Sequence, residues 1–255
     1  MLMIITDSHN PHARKYSVLN EGMVHCTRLG KLDPALQNHL TWLNGPLSEW
    51  LSKRLVQPIN LLPIISAALA LGDDCHGRTI AGSALVVEQL VHVSGDEISE
   101  EIKVFFQASP AFSLNIWMAA SSLMLAAAEG VENSSLITRA GGNGYEFGVQ
   151  FASKPGRWIT MLAPQVKGDI ELAHAARTAV GAIGDSAVVD FMGLGGQVLN
   201  TATASYDNLR AYLPADALTR PDKALVGPID GFGGRRGVTS ARQVVGNEGG
   251  PMVLL

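Results

Sequence analysis

The chain has 255 residues and 27.0 kDa, more than the ~150 of a typical domain and within reach of one large core. Hydrophobic residues make up 47% and charged residues only 16%, which excludes intrinsic disorder. Lys+Arg 19 against Asp+Glu 23 gives a net charge of −4 with no basic run, so a nucleic-acid partner is not expected. The two cysteines, Cys26 and Cys75, are far apart and form no CxxC pair, so neither a disulfide framework nor a zinc ribbon is expected.

The opening residues, MLMIITDSHN, lack a basic region and a long apolar run, so no secretory signal is expected and the protein reads as cytoplasmic. MLMIIT and YSVLNEGMVHC flank a polar turn around Asn10-Pro11 and predict two strands. Within that turn Asp7, His9 and His12 have a metal-like spacing, but a solvated loop is the stronger reading.

Asp33-Pro34 marks a helix start, and Leu32, Leu36, Leu40, Leu43, Leu47, Leu51 and Leu55 recur at helical steps. Gly45-Pro46 is expected to break this stripe into two helices. A helix over about 60–71 is apolar nearly all round, and others follow over IAGSALVVEQLVHV and about 97–106. The stretch 111–128 is almost long enough to span a bilayer, but Ser113, Asn115, Ser121 and Ser122 make it a core helix, with no membrane partner expected.

From Leu136 the period changes to LITRAGG, YEFGVQFAS and RWITMLAP, split by Gly-Asn-Gly and Lys-Pro-Gly, the punctuation of an antiparallel meander. Tyr145, Phe147, Val149 and Phe151 alternate with polar residues and predict one buried strand face. A helix over AVVDFMGLGGQVL, a short one over 214–218 and a final strand over 252–255 complete the pattern. The expected fold is α+β, a helix-rich single domain over 1–255 with a small antiparallel sheet packed against buried helices. Its helical part covers about 31–130, its meander about 136–164, and its last helix and tail 184–255.

The common phosphate-binding, metalloprotease and nucleophile-elbow signatures are absent. The segment that stands out is Gly72–Thr79, which sets Asp73, Asp74, Cys75, His76 and Arg78 between two apolar helices. Such charges are not buried without partners. Asp74 could pair with Arg78 in a structural knot. Alternatively the junction lines a pocket, where the next helix N-terminus and a bidentate Arg78 receive an anion. Arg139 through Gly144 could likewise cradle an anion, though a hairpin turn is the stronger reading.

The order of these blocks carries more than any one of them. YSVLNEGM, ALALGDDCHGRTIAGSALVVEQL, NIWMAASSLMLAAAEGVENSSLITRAGGNGYEFGVQ, GRWITMLAP and IGDSAVVDFMGLGG resemble, in order, a bacterial family that includes a subunit of the oxamate carbamoyltransferase of anaerobic allantoin degradation. The resemblance covers roughly residues 16–200. Gly77 and Thr79 stand where the family pattern carries Asn, and longer members have extra sequence before the first block.

The resemblance implies a carbamoyltransferase-type subunit: oxamate and carbamoyl phosphate give oxalurate and phosphate, or the reverse, in an assembly of different subunits. Matching positions here are Asp73, Asp74, His76, Arg78, Asn143, Gly144, Glu146, Asp185 and Ser186. In that chemistry His76, oriented by Asp73 or Asp74, moves a proton or donates to the carbonyl oxygen. Arg78, Arg139, Asn143, Gly144, Glu146, Asp185 and Ser186 bind the small anionic substrate. No metal and no organic cofactor is expected, and a homo-oligomer or hetero-oligomer is. Two other classes stay open: a non-catalytic subunit or small-anion-binding protein, and, less favoured, a metal-dependent hydrolase using Asp73, Asp74 and His76.

Overall fold

The computed structural model describes residues 2–7, 9–28, 32–93, 98–163, 180–211, 213, 215, 217–219 and 252–254. The class is α+β as expected, and the strands form two four-stranded antiparallel sheets. In the first, β1 (Leu2–Asp7) pairs with β2 (Arg14–Val18) in the register Leu2↔Val18 to Thr6↔Arg14. The tail strand β8 (Met252–Leu254) inserts between β1 and the two-residue β3 (Ile59–Asn60), a strand too short to show in the sequence pattern. The β1–β2 turn holds itself together: Asp7 accepts the His9 amide at 2.8 Å and Asn10 that of His12 at 3.3 Å, and both histidines are exposed.

The leucine stripe forms α1 (Leu36–Trp42) and α2 (Ser48–Arg54), but Gly45-Pro46 does not separate them. A π-helical turn over Leu43–Leu47 joins the two, with the Ser48 amide reaching back to the Leu43 carbonyl. The wider turn absorbs the N–H that Pro46 lacks, so the apolar face stays continuous through buried Leu43, Leu47 and Leu51. Next come α3 (Leu61–Ala70), α4 (Ile80–His92), α5 (Glu100–Gln107) and α6 (Leu114–Ala126). Asn60 and Ser99 cap α3 and α5 by accepting backbone amides.

The second sheet has the order β6-β5-β4-β7, with β4 over Ile137–Asn143, β5 over Glu146–Phe151, β6 over Ile159–Leu162 and β7 over Ile183–Gly184. The apolar face of β5 packs against the core as expected, though only in part, and the opposite face is covered as well. Phe147, Val149 and Phe151 are only half-buried and Tyr145 is exposed, while Gly148 and Gln150 are buried. Trp158 and Thr160 pack over Gly148, and the Gln150 side chain accepts the Gly156 amide at 2.9 Å, so the supposed outer face is covered by the chain itself.

The helix expected over AVVDFMGLGGQVL is also shorter. It stops as α7 (Ala187–Phe191), where the Gly193 and Leu194 amides return to the Asp190 and Val189 carbonyls around a left-handed Gly193. A 3-10 turn (Gly195–Val198) and α8 (Thr203–Leu209) follow. Pro214 and Asp216, within the short helix expected at 214–218, lie outside the described residues.

Helix α6 organises the two sheets. It touches β1 and β2 of the first, β4 of the second, and α7. Its buried side, with Ile116, Trp117, Ala120 and Leu123, belongs to a hydrophobic cluster running from Met3 to Ala202. Ser113 and Ser83 bond each other at 2.8 Å, which satisfies two hydroxyls between α6 and α4. No helix among the described residues is long and apolar enough to cross a membrane.

Candidate functional site

Helix α3 ends at Gly72, whose left-handed backbone lets the Gly72 and Asp73 amides bond back to the Leu69 and Ala68 carbonyls. The chain then enters the junction the sequence singled out, and its carboxylates turn inward. Asp73 is fully buried and accepts the Cys75 amide at 3.3 Å and the Gly82 amide at 2.9 Å. Its carboxylate therefore occupies the N-terminal turn of α4, where a bound anion was expected. The positive end of that helix is met by the chain's own acid.

Burial pushes the Asp73 carboxyl above its usual value, against the pull of those two amides. Asp74 accepts the amides of His76 at 3.1 Å and Arg78 at 2.8 Å, so it fixes the main chain that carries both side chains. Between them Cys75 is buried in a left-handed conformation, and burial followed by the charges of Asp73 and Asp74 raises its thiol well above the ordinary value. Cys75 is a poor thiolate nucleophile.

The imidazole of His76 is held by Asp190, at 2.5 Å from Nδ1 to Oδ2. Asp190 also accepts the Gly196 amide at 2.7 Å, and the Gly195 amide donates to the Asp74 carbonyl at 2.8 Å. Gly195 is required there: it is left-handed, and a Cβ would stand 2.6 Å from Asp190 and 2.9 Å from His76 Nδ1. Burial lowers the affinity of His76 for its proton, but the Asp190 hydrogen bond and charge, with Asp74, outweigh it and leave the pKa raised. With Nδ1 facing Asp190, protonation of His76 places its second ring proton on Nε2.

Arg78 completes the junction differently. It is half-buried, its Nε is sealed from solvent without a hydrogen bond, and no carboxylate among the described residues forms an ion pair with it. Its terminal amino groups are the donors this cluster leaves for an outside acceptor.

A second set of expected residues lines a cleft of about 600 Å³ between β2, α6, β4 and α7. Arg139, Asp185 and Ser186 meet there with Lys15, Asn115 and Ser122. Arg139 is steered by Glu129 at 3.0 Å, while Lys15 makes no ion pair among the described residues. The two clusters are linked through α7: Asp190 lies in its last turn, and Asp185 immediately precedes its N-cap, Ser186.

Residues 1–186 match the sequence profile of the family described as oxamate carbamoyltransferase subunit AllG. The chain belongs to the AllG family. It is 32% identical over 197 residues to the uncharacterized protein YahG of Escherichia coli strain K12, covering 74% of this chain and 42% of that one. The oxamate carbamoyltransferase subunit AllG of the same strain is 26% identical over 210 residues, covering 79% and 50%.

A crystal structure of a conserved protein of unknown function from Enterococcus faecalis V583 superposes with a TM-score of 0.75 at 29% identity, covering 87% of this chain and 54% of that one. The chain spans about half the length of the relatives it matches.

Not every expected AllG-family position gathers at these clusters. Asn143 accepts the Tyr145 and Glu146 amides at 2.9 and 2.8 Å, Gly144 is left-handed against Ile183, and Glu146 reaches Thr160 at 3.4 Å. These three residues build the β4–β5 hairpin, and none of them lines the cleft.

The residues of these clusters that the sequence did not single out are Asp190, Gly195 and Lys15. A lone acid inside the apolar run AVVDFM was the available signal for Asp190, because a carboxylate in such a helix needs a partner. Gly193 to Gly196 failed the dinucleotide-binding pattern, yet these glycines hold the His76–Asp190 pair instead.

Proposed function

We propose that this chain is a carbamoyl-transfer subunit acting on small carboxylate-amide substrates, with the junction of α3 and α4 as its anion-binding and proton-handling centre. The observation that carries the reading is Arg78, half-buried and without an ion pair among the described residues, two positions from an imidazole clamped by a carboxylate.

In the forward direction the oxamate amide nitrogen attacks the carbamoyl carbon, the bond from that carbon to the phosphate oxygen breaks, and the proton lost by the nitrogen leaves on the departing phosphate. Arg78 holds the anionic group, and protonated His76 donates from Nε2 to the oxygen on which charge grows. Asp190 keeps the imidazole in place, while Asp73 and Asp74 shape the backbone that presents both side chains. The cleft with Arg139, Lys15 and Asp185 offers cations for a carboxylate and an acceptor for amide hydrogens, at the opposite end of α7 from Asp190. The name of the AllG relative supports this chemistry, and the subunit designation supports a hetero-oligomer.

Calorimetry with oxamate, oxalurate, phosphate and carbamoyl phosphate tests it. Arg78→Ala is expected to weaken binding roughly 10- to 150-fold, the ~1.5–3 kcal/mol of a charged hydrogen bond. Arg78→Lys restores the charge without the fork and recovers part of that loss. Equal affinity in wild type and a folded Arg78→Ala would overturn the role of Arg78. If wild type binds none of the four alone, the titration is repeated with the other subunits. Failure there as well sinks the carbamoyl-transfer reading.

A further inference from the structure

The Asn20-Glu21-Gly22 motif plays no part in the chemistry above, yet it is built with care. The Asn20 side chain donates to Asn115 at 3.2 Å and accepts the Gly22 amide at 2.9 Å. The Glu21 carboxylate binds the amide and hydroxyl of Thr27, at 2.5 and 3.0 Å, and the Glu21 carbonyl accepts His39 Nε2 at 2.7 Å. A Cβ on Gly22 would collide with Ser109 and Phe105. These contacts bring the segment against α1 and α5 and form the wall of a second cavity, about 440 Å³ in volume.

The lining of this cavity has a definite chemistry. Trp42, Phe105 and His39 form one aromatic wall: Trp42 and Phe105 centroids are 5.2 Å apart, His39 and Phe105 6.1 Å, and His39 stacks on Trp42 at 5.9 Å. His39 Nε2 is taken up by the Glu21 carbonyl, which fixes the ring against Trp42 and Phe105. His25 gives its Nδ1 to Asp33 at 2.8 Å. The charged side chains along the lining are Glu21 and Glu101, and no Lys or Arg belongs to it. Glu101 forms no ion pair among the described residues.

An aromatic wall with two acids and, among the described residues, no Lys or Arg in its lining, the Arg28 guanidinium being held outside on the Met23 carbonyl at 3.2 Å, disfavours carboxylates and phosphates and favours positive charge on an apolar body. We propose that this cavity is a binding site for a small organic ammonium cation, independent of the anion centre at Arg78. The alkylated head packs against Trp42, Phe105 and His39, and Glu101 supplies the counter-charge.

The test uses choline and its neutral isostere, 3,3-dimethyl-1-butanol, which have the same shape and differ in charge. Calorimetry on the full chain is expected to show saturable choline binding at least tenfold tighter than the isostere, a difference of ~1.4 kcal/mol. Glu101→Gln, an exposed change on α5, is expected to weaken choline binding several-fold and leave the isostere unaffected. Trp42→Phe keeps the wall but lowers its attraction for a cation, so choline binding falls again.

Ring-proton shifts of His39 and His25 on titration locate the site. Equal affinity for both compounds, no saturable choline binding, or binding indifferent to both substitutions overturns the proposal. A reading built on Arg78 stands or falls separately, since neither substitution touches the junction.

Discussion

Two polar segments of this molecule use the same backbone chemistry to different ends. In the β4–β5 hairpin, Asn143 accepts two amides and Glu146 a threonine hydroxyl. Its exposed polar groups are satisfied locally, and the result is a turn. In the α3–α4 junction, Asp73 and Asp74 likewise accept four amides between them, those of Cys75, Gly82, His76 and Arg78. There the acids are spent but the cations are not: Arg78 has no ion pair among the described residues, and His76 Nε2 points away from its Asp190 clamp. What separates a candidate site from a turn is the hydrogen-bonding capacity left over after the fold has been satisfied.

The largest effect is expected where the junction is locked. Gly195→Val puts a branched side chain on a left-handed backbone, with its Cβ overlapping Asp190 and crowding His76. Conformational strain and overpacking together should cost about 3–5 kcal/mol. Urea unfolding measures it. A midpoint near that of wild type would mean that the His76–Asp190 pair yields easily and is not a rigid clamp. The comparison with the hairpin would then lose its basis.

Much of the scaffold was legible before the structure, because apolar periodicity reports which face is buried. The stripe through Leu43, Leu47 and Leu51, the all-apolar α3 and the Ser-studded α6 each sit where that rule places them. Two further features of α6 now have a reason: Ser113 pairs with Ser83, and Asn115 and Ser122 face the cleft. Periodicity failed where a second layer intervened. Trp158 over Gly148 buries the face of β5 that looked polar, and a π turn carries α1 through Gly45-Pro46.

The charge-dense junction was visible as a segment, but its wiring was not. Asp190 lies far along the chain from His76, and only the fold, which seats α7 on α6 and β4, brings it to the α3–α4 junction. Asp73 was expected near His76 in a chemical role, and instead it caps α4 through Gly82. Adjacent carboxylates diverge, so neighbours in sequence do different work.

An intermediate effect should come from Asp190→Asn, which keeps the shape and removes the charge. The folded-state pKa of His76 is raised above its ordinary 6.5, so its protonation contributes stability that is fully present below 6.5. That contribution disappears as the pH rises through the folded-state value. The variant should therefore be less stable than wild type by about 1–2 kcal/mol on the acid side, with the gap narrowing as the pH rises through the folded-state value. His76 should titrate lower by NMR. A stability difference that grows with rising pH would contradict the assigned sign.

The smallest effect belongs to the hairpin and sharpens the comparison most directly. Asn143→Ala removes the acceptor for the Tyr145 and Glu146 amides. Both amides lie in an exposed turn, where water replaces the lost oxygen, so the cost should be about 0.5–1 kcal/mol. The β4–β5 register, from Ile137↔Phe151 to Gly142↔Phe147, does not depend on that side chain and should survive. Affinity for whichever anion binds at Arg78 should then stay within about twofold of wild type, a change of under ~0.5 kcal/mol. Paired measurement of unfolding and anion binding on this one variant separates the two regions. A loss of affinity larger than the loss of stability would mean that the hairpin, spent as its polar groups look, still reaches the ligand.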